Sequence, residues 1–335
     1  MHILGSILMA TSSKISMMLL GRVTAGIGTG WIMVAGPLYI FEIAPQHHKT
    51  LFGSLIQISV VLGLLLTQSL ALVLSTSQGW RVILSVGGQI GALQFLLALF
   101  SIESPRYLML MDKDEAERDA SNNLQSTTLF EENLPLNENE IPSQLSVYQF
   151  ISSRNYRKDL ITVSLLMVAH QFTGINAVVA YSTPILSPLI PSFASKITVL
   201  SSLVNLTFSI LYALIAERYT HRYLLLVSLS CLGTSTFLLA LSIELKIRVL
   251  AGLLILFFLA GFAIGAGPIG FHVIPDIVDK QVVIAAQGLA FSLNWLGLCI
   301  VGYLFPIVRN VIHGWSFMIF WGISMTSIVL IKKYL

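Results

Sequence analysis

Apolar residues occur along the chain in long runs that are separated by short polar segments. Nine of these runs have the length of roughly 20 residues that a helix needs to cross the hydrocarbon core of a bilayer. They fall at 17–41, 52–76, 80–101, 159–186, 197–216, 223–243, 248–274, 282–306 and 314–331. The first ten residues are also apolar, and we interpret them as the end of another spanning helix, because no basic region precedes them as in a signal peptide.

One long polar segment divides these runs into two groups. It covers about 104–158, and its middle, 112–142, contains nine acidic residues and two basic ones. The part from Ser121 to Ser143 is rich in Asn, Ser and Glu, which predicts partial disorder. We therefore expect three domains: a partial N-terminal bundle at 1–103, an insert with short helices and an acidic segment at 104–158, and a six-helix bundle at 159–335.

The basic residues predict which side of the membrane the insert occupies. Connections on the side of the insert carry 12 of the 19 Lys and Arg residues, and those on the opposite side carry 7. Cytoplasmic loops are enriched in Lys and Arg, so the insert is predicted to be cytoplasmic. The sequence does not distinguish the plasma membrane from an organelle membrane.

The composition agrees with a membrane protein and argues against other classes. Hydrophobic residues make up 55% of the chain and charged residues 10%, with a mean hydropathy of +0.82, whereas soluble domains carry about 25% charged residues. A net charge of +3 is too small to indicate nucleic-acid binding. Cys231 and Cys299 lie in apolar runs, as small packing residues do. No metal-binding pair or nucleophile–base arrangement is present, so we expect no enzyme activity and no cofactor.

The first run carries a motif of small residues that ends in a charged segment. It reads Gly21-Arg22-x3-Gly26-x-Gly28-x-Gly30, followed by Pro37-x-Tyr39-x2-Glu42-x-Ala44-Pro45. Glycines inside a spanning helix let a neighbouring backbone approach closely, so they indicate helix packing. Glu42 lies at the cytoplasmic end and is expected to find a basic partner.

Further motifs follow, and the series resembles the sugar porter family of the major facilitator superfamily. They are Gln57 and Gly63, Gly79-Trp80-Arg81, Glu103-Ser104-Pro105-Arg106-Tyr107-Leu108, His170-Gln171-Phe172-Thr173-Gly174-Ile175-Asn176, Glu217-Arg218-Tyr219-Thr220-His221-Arg222, Gly265-Ala266-Gly267-Pro268-Ile269-Gly270-Phe271 and Asn294-Trp295. Each motif is weak by itself, but their order and spacing match the family over nearly the whole chain.

This resemblance implies an all-α integral membrane protein with an incomplete 6+6 helix fold. The chain corresponds to the end of the family's third helix through its twelfth. The family's first two helices, most of the third and the C-terminal tail motif have no counterpart here. Because alternating access needs two complete bundles, we expect these 335 residues not to transport on their own.

Uncharged amides in the apolar runs are the candidates for binding a sugar. An amide side chain offers donors and an acceptor without charge, whereas a charge at the centre of a membrane helix costs about 2.5–3.5 kcal/mol. By resemblance, the sugar site is lined by Gln57, Gln171, Asn176, Asn205 and Asn294. The same resemblance places His170 and Phe271 at the site, where the family has Gln and Trp. The alternative is that a polar side chain only bonds a neighbouring helix, which we prefer for Gln89, Gln94 and Gln287 and leave open for His170.

The glycine-rich segment Gly265–Gly270 allows two interpretations. The spacing Gly265-x-Gly267-x-x-Gly270 also fits a dinucleotide-binding loop, but no strand precedes it and Pro268 interrupts it. A broken helix beside a cavity explains the segment better. By resemblance, Gly265, Gly267 and Pro268 belong to a gate, together with Tyr181.

Charged residues at the cytoplasmic helix ends form a second predicted group. By resemblance they build an ionic latch, which consists of Glu42, Arg106, Glu217, Arg218, Arg222 and Asp276. The alternative is ordinary anchoring by basic residues on the cytoplasmic side. Lys49-Thr50, Thr220-His221 and Val283 depart from the family pattern, so the latch is expected to be weaker than usual.

The leading functional hypothesis is transport of a monosaccharide, a hexose or a related polyol, by alternating access. Uniport and proton symport both stay open, because the family helix that would carry the proton-coupling acid has no counterpart here. The alternatives are a carrier-like nutrient sensor and an inactive truncated transporter. The expected partners are the sugar, the lipid bilayer and, for a symporter, protons. Neither nucleic acid nor an obligate protein partner is expected.

Overall fold

The computed structural model describes residues 1–45, 48–74, 76, 78–103, 145–186 and 194–334. Throughout these residues the regular structure is helical, without strands. The α-helices are α1 His2–Ala10, α2 Ile15–Ile43, α3 Lys49–Leu74, α4 Gly79–Ala98, α5 Val147–Ser152, α6 Arg157–Phe172, α7 Ile175–Leu186, α8 Ala194–Ile215, α9 His221–Glu244, α10 Arg248–Ala263, α11 Ala266–His272, α12 Ile274–Ile277, α13 Val283–Ile312 and α14 Phe317–Tyr334. The all-α prediction is therefore confirmed.

Every predicted apolar run overlaps one to three consecutive helices. In the described part of the chain, seven segments are long and apolar enough to cross a membrane. Seven rather than nine segments meet this criterion for two reasons. Val283–Lys333 covers two predicted runs, because a 3-10 helix continues α13 into α14, and the run at 248–274 is broken after Ala263, which leaves a shorter apolar helix.

The helices fall into two units. One consists of Met1–Lys49 and Leu66–Ile141, and the other of Thr50–Leu65 and Pro142–Leu335. The first half of α3 thus belongs to the unit that contains the C-terminal helices. The domain boundaries expected at 103/104 and 158/159 stay a prediction. Residues 104–144, which include the predicted disordered segment and Arg106, lie outside the described residues.

Glycines bring α1 and α2 together in the first unit. A Cβ atom at position 21 would lie 2.9 Å from the Gly5 carbonyl oxygen, and one at position 28 would lie 2.9 Å from the His2 nitrogen. Small residues at these two places allow close backbone contact. Gly26 and Gly30 have no atom within 4 Å of an added Cβ, among the described residues, so only part of the motif serves packing there.

The hydrophobic core lies in the second unit. Phe150 of α5, Met167 of α6, Leu229 of α9, Phe258 of α10 and Phe317 of α14 are among its buried members. Outward-facing apolar side chains remain on the same helices, such as Leu253 and Phe257 of α10. Since lipid is as apolar as the core, this exposure fits a chain that spans a bilayer.

A first helix break separates α6 from α7 at Thr173-Gly174. Gly174 has a φ of +97°, which L side chains rarely adopt. A Cβ there would also lie 2.6 Å from the Phe320 ring. The helix restarts at once, because the Val178 amide donates to the Gly174 carbonyl at 2.9 Å. Glycine at 174 therefore sets the angle between α6 and α7.

We predict that Gly174→Ala lowers stability by about 2 kcal/mol or more, because a left-handed residue with a side chain costs about 1–2 kcal/mol and the added methyl meets Phe320. The check is the apparent Tm of the purified protein in detergent, followed by circular dichroism. Gly322→Ala on α14 is the matched control, since no atom of another described segment lies within 4 Å of its Cβ position. An equal loss in both variants would contradict the assignment.

Candidate functional site

A directed chain of hydrogen bonds joins four of the predicted site residues. Asn176 Nδ2 donates to Gln171 Oε1. Gln171 Nε2 donates to Asn294 Oδ1 at 2.7 Å. Asn294 Nδ2 then lies 3.0 Å from His170 Nδ1, so the imidazole accepts through that nitrogen. The four side chains come from α6, α7 and α13, all in the second unit.

The local backbone explains how these side chains meet. His170 and Gln171 occupy the last turn of α6, and Asn176 the first turn of α7, so the break at Gly174 turns Asn176 back towards Gln171. Helix α13 comes close because of Gly297, one turn after Asn294. A Cβ at 297 would lie 3.1 Å from Gln171 Cβ, closer than side chains usually pack.

A second helix break, at Ile264-Gly265 between α10 and α11, supplies the opposite wall around His170. A Cβ at position 270 would lie 2.6 Å from His170 Cδ2, so the imidazole packs directly on the Gly270 backbone of α11. Phe262, at the end of α10, meets the same imidazole edge-on, with ring centroids 5.3 Å apart. The imidazole is thereby held between α10, α11 and Asn294.

Gln57 reaches this site from the first half of α3. Its side chain is 3% exposed, and its Nε2 lies 3.1 Å from the Cβ position of Gly267. Cε1 of the Phe262 ring lies 2.7 Å from the same Cβ position. Glycine at 267 thus leaves room for both side chains, and the predicted amide and the predicted gate are in contact.

Other predicted site residues are placed separately or lie outside the description. Asn205 is buried on α8, where it accepts a hydrogen bond from Ser209 at 3.5 Å, on its own helix. This contact does not join it to the chain of amides. The backbones of Phe271 and Tyr181 are helical, in α11 and α7, but their side chains lie outside the described residues.

Five of the six predicted latch residues lie in or next to helix ends in the described part of the chain. Glu42 is in the last turn of α2, Glu217 and Arg218 are in the turn after α8, and Asp276 is in α12. Arg222 donates from Nη2 to the Lys332 carbonyl at 2.6 Å, which ties α9 to the end of α14. Arg106 is outside the described residues. The latch itself stays a prediction.

The chemistry of the site is that of neutral hydrogen bonding. Gln171 and Asn176 retain donor and acceptor capacity beyond the bonds described, because an amide offers two N–H groups and an oxygen with two lone pairs. Asn294 Nδ2 also lies 3.9 Å from Met167 Sδ, so both of its N–H groups have partners. When Nδ1 of neutral His170 accepts from Asn294, the proton resides on Nε2. In the described parts of the chain, no group of three or more His, Cys, Asp or Glu side chains is arranged to hold a metal.

Two residues of the site escaped the sequence interpretation. Phe262 looked like one apolar residue among many in its run, although it contacts His170 and the Gly267 position. Ser228 is one of several hydroxyl residues in α9, yet it makes a hydrogen bond at the second break. Its Oγ lies 2.7 Å from the Gly261 carbonyl oxygen. Hydrophobic periodicity does not single out either residue, because the role of each depends on its neighbours on other helices.

Comparisons with known proteins agree with this architecture. The family model described as "Sugar (and other) transporter" matches residues 1–333. Vacuolar protein sorting-associated protein 73 of Saccharomyces cerevisiae is 30% identical over 337 residues, covering 96% of this chain and 69% of that protein. The human solute carrier family 2, facilitated glucose transporter member 7 is 30% identical over 352 residues, covering 98% and 68%.

Solved structures show the same fold. The proton:xylose symporter XylE, bound to 6-bromo-6-deoxy-D-glucose, superposes with a TM-score of 0.80 at 21% identity, covering 99% of this chain and 77% of that one. The fucose:proton symporter FucP of E. coli superposes with a TM-score of 0.59 at 12% identity, covering 100% and 81%. The major facilitator fold expected from the sequence is thereby confirmed.

We predict that His170 and Gly270 are energetically coupled. Gly270→Ala is expected to destabilise the protein by about 1–3 kcal/mol, the range for overpacking, because the new methyl overlaps the imidazole. In a His170→Ala background the same substitution should cost less than half as much. Denaturant unfolding of the four variants in detergent measures this cycle.

Gly288→Ala on α13 provides the control for this cycle, since its Cβ position has no atom from other helices within 4 Å, among the residues that the structure describes. It should be near neutral in both backgrounds. Additive costs for Gly270→Ala and His170→Ala would show that the two residues do not press on each other.

Proposed function

The chain belongs to the sugar transporter family, and we propose that it binds a monosaccharide, a hexose or a related polyol, for transport across a membrane by alternating access. It is a multi-pass membrane protein rather than an enzyme. The human relative is named a facilitated glucose transporter, and one structural neighbour a proton:xylose symporter. These names describe those proteins; for this chain they support the substrate class.

The observation that carries the proposal is the directed chain Asn176, Gln171, Asn294 and His170, with Gln57 nearby. A monosaccharide presents several hydroxyls, each of which both donates and accepts. A set of neutral amides satisfies such a ligand without placing a charge in the membrane. Gln171 and Asn294 are also almost wholly buried, so a ligand bonded to them would leave water.

The expected affinity follows from the number of such bonds. A net hydrogen bond contributes about 0.5–1.5 kcal/mol, so four or five of them contribute roughly 4 kcal/mol, which corresponds to a Kd of about 1 mM. Weak binding suits a carrier, because the cargo has to leave as readily as it enters.

The helix breaks support the mechanistic part of the proposal. Discontinuous helices beside the substrate site are a recurrent feature of carriers that alternate between two access states. Here α6 and α7 meet at Gly174, and α10 and α11 meet at Gly265. Both breaks contribute residues to the proposed site, so a change in helix direction at either one would alter the surroundings of a bound sugar.

We predict that Gln171→Ala or Asn176→Ala raises the half-saturating sugar concentration about tenfold, since each removes roughly 1–1.5 kcal/mol of hydrogen bonding. Titration of D-glucose into the purified chain, followed by saturation-transfer difference NMR, measures the concentration. L-glucose serves as the stereochemical control.

Gln94→Ala on α4 is the matched amide control, because that side chain is exposed and belongs to the first unit. It should leave the titration unchanged. The proposed site would be wrong if Gln171→Ala and Asn176→Ala bound D-glucose as the unmodified chain does, or if D- and L-glucose were bound equally.

A further inference from the structure

Ser228 makes hydrogen bonds to both sides of the second helix break. It lies on α9 within an apolar span and is 0% exposed. Its Oγ donates to the Gly261 carbonyl of α10 at 2.7 Å and accepts from the Ala266 amide, the first residue of α11, at 3.0 Å. One hydroxyl thus links two backbone groups that lie five residues apart in the chain.

These two backbone groups are among those that the break deprives of helical partners. In an unbroken α-helix the Gly261 carbonyl would accept from the Gly265 amide, and the Ala266 amide would donate to Phe262. The Gly265 amide donates to the Phe262 carbonyl instead, at 3.3 Å. An unsatisfied backbone group costs several kcal/mol inside a membrane, and Ser228 supplies the missing donor and the missing acceptor.

Close packing of α9 on the break keeps this hydroxyl within reach. A Cβ at position 265 would lie 2.7 Å from Ser228 Cβ and would also meet the Leu224 carbonyl oxygen. A Cβ at position 261 would lie 2.6 Å from Cys231 Cβ. Gly261 and Gly265 are four residues apart and form a small-residue contact of the kind that brings membrane helices together.

The break in turn places the wall of the proposed sugar site. Gly267 and Gly270 follow it on α11, where they lie against Gln57 and His170. The direction in which α11 leaves α10 therefore determines how close the α11 backbone lies to the side chains of Gln57 and His170. We propose that Ser228 is a positioning residue that fixes this direction by closing the hydrogen bonds opened at Gly265. The part of the proposal that concerns sugar binding rests on the proposed function.

Ser235 offers a matched control on the same helix. It is 0% exposed like Ser228 and lies seven positions further along α9. Its Oγ donates to the Cys231 carbonyl at 2.6 Å, within its own helix. Ser228→Ala and Ser235→Ala therefore remove the same atom from equally buried places, but only the first removes a bond to the break.

The test measures hydrogen exchange of the Ala266 amide and D-glucose binding in the 335-residue chain and both variants. Ser228→Ala should speed exchange at Ala266 about tenfold, equivalent to about 1.4 kcal/mol, and raise the half-saturating sugar concentration. Ser235→Ala should change neither quantity. The thermal transition of the two variants, compared by circular dichroism, separates a general loss of stability from a local effect.

The outcomes are distinguishable. Unchanged exchange at Ala266 in Ser228→Ala, or an equal rise in both variants, would overturn the proposal. Faster exchange without a change in sugar binding would show that Ser228 makes only a structural hydrogen bond, and this would overturn its positioning role. If the unmodified chain bound no sugar, the proposed function would fail, while the exchange data would still decide the role of Ser228 at the break. If Ser228→Ala did not fold, rapid exchange of Ala266 in the unmodified chain would overturn the proposal, and protection would support it.

Discussion

Every backbone N–H and C=O inside a bilayer has to find its partner within the protein, because lipid offers none. A continuous helix meets this requirement automatically, whereas a broken one does not. This chain breaks its helices at Gly174 and at Gly265. At the first break, helix α7 resumes at once with an ordinary helical bond from the Val178 amide to the Gly174 carbonyl. At the second, the Ser228 hydroxyl of a neighbouring helix bonds both ends.

The breaks also explain why the polar side chains gather where they do. An interrupted helix lets side chains from consecutive segments converge, as Gln171 and Asn176 do across Gly174. The resulting cluster is neutral throughout its hydrogen-bonded chain, so it avoids the penalty for a charge at this depth. The same neutrality suits a ligand that is rich in hydroxyls, and the requirements of folding and of binding therefore favour the same residue types.

One departure from the family pattern is physically connected to a nearby glycine. By resemblance, His170 stands where the family has Gln. The imidazole packs on the Gly270 backbone, at a place where a side-chain atom would overlap it. Asn294 holds the opposite edge of the imidazole through Nδ1. Glycine at 270 therefore leaves room for the imidazole of His170 at this wall.

The sequence by itself determined the fold class, the approximate spans and most of the amides, because long apolar runs require spanning helices and because a neutral amide is conspicuous inside them. It also indicated a broken helix at Gly265–Gly270 from glycine and proline alone. Only the tertiary structure decided which amides meet: Asn205 bonds Ser209 on its own helix, whereas Asn294 joins Gln171 across two helices. It also revealed Phe262 and Ser228, whose roles are set by residues on other helices. Periodicity along one helix fixes which face a residue occupies, but the partner on that face depends on how the helices pack.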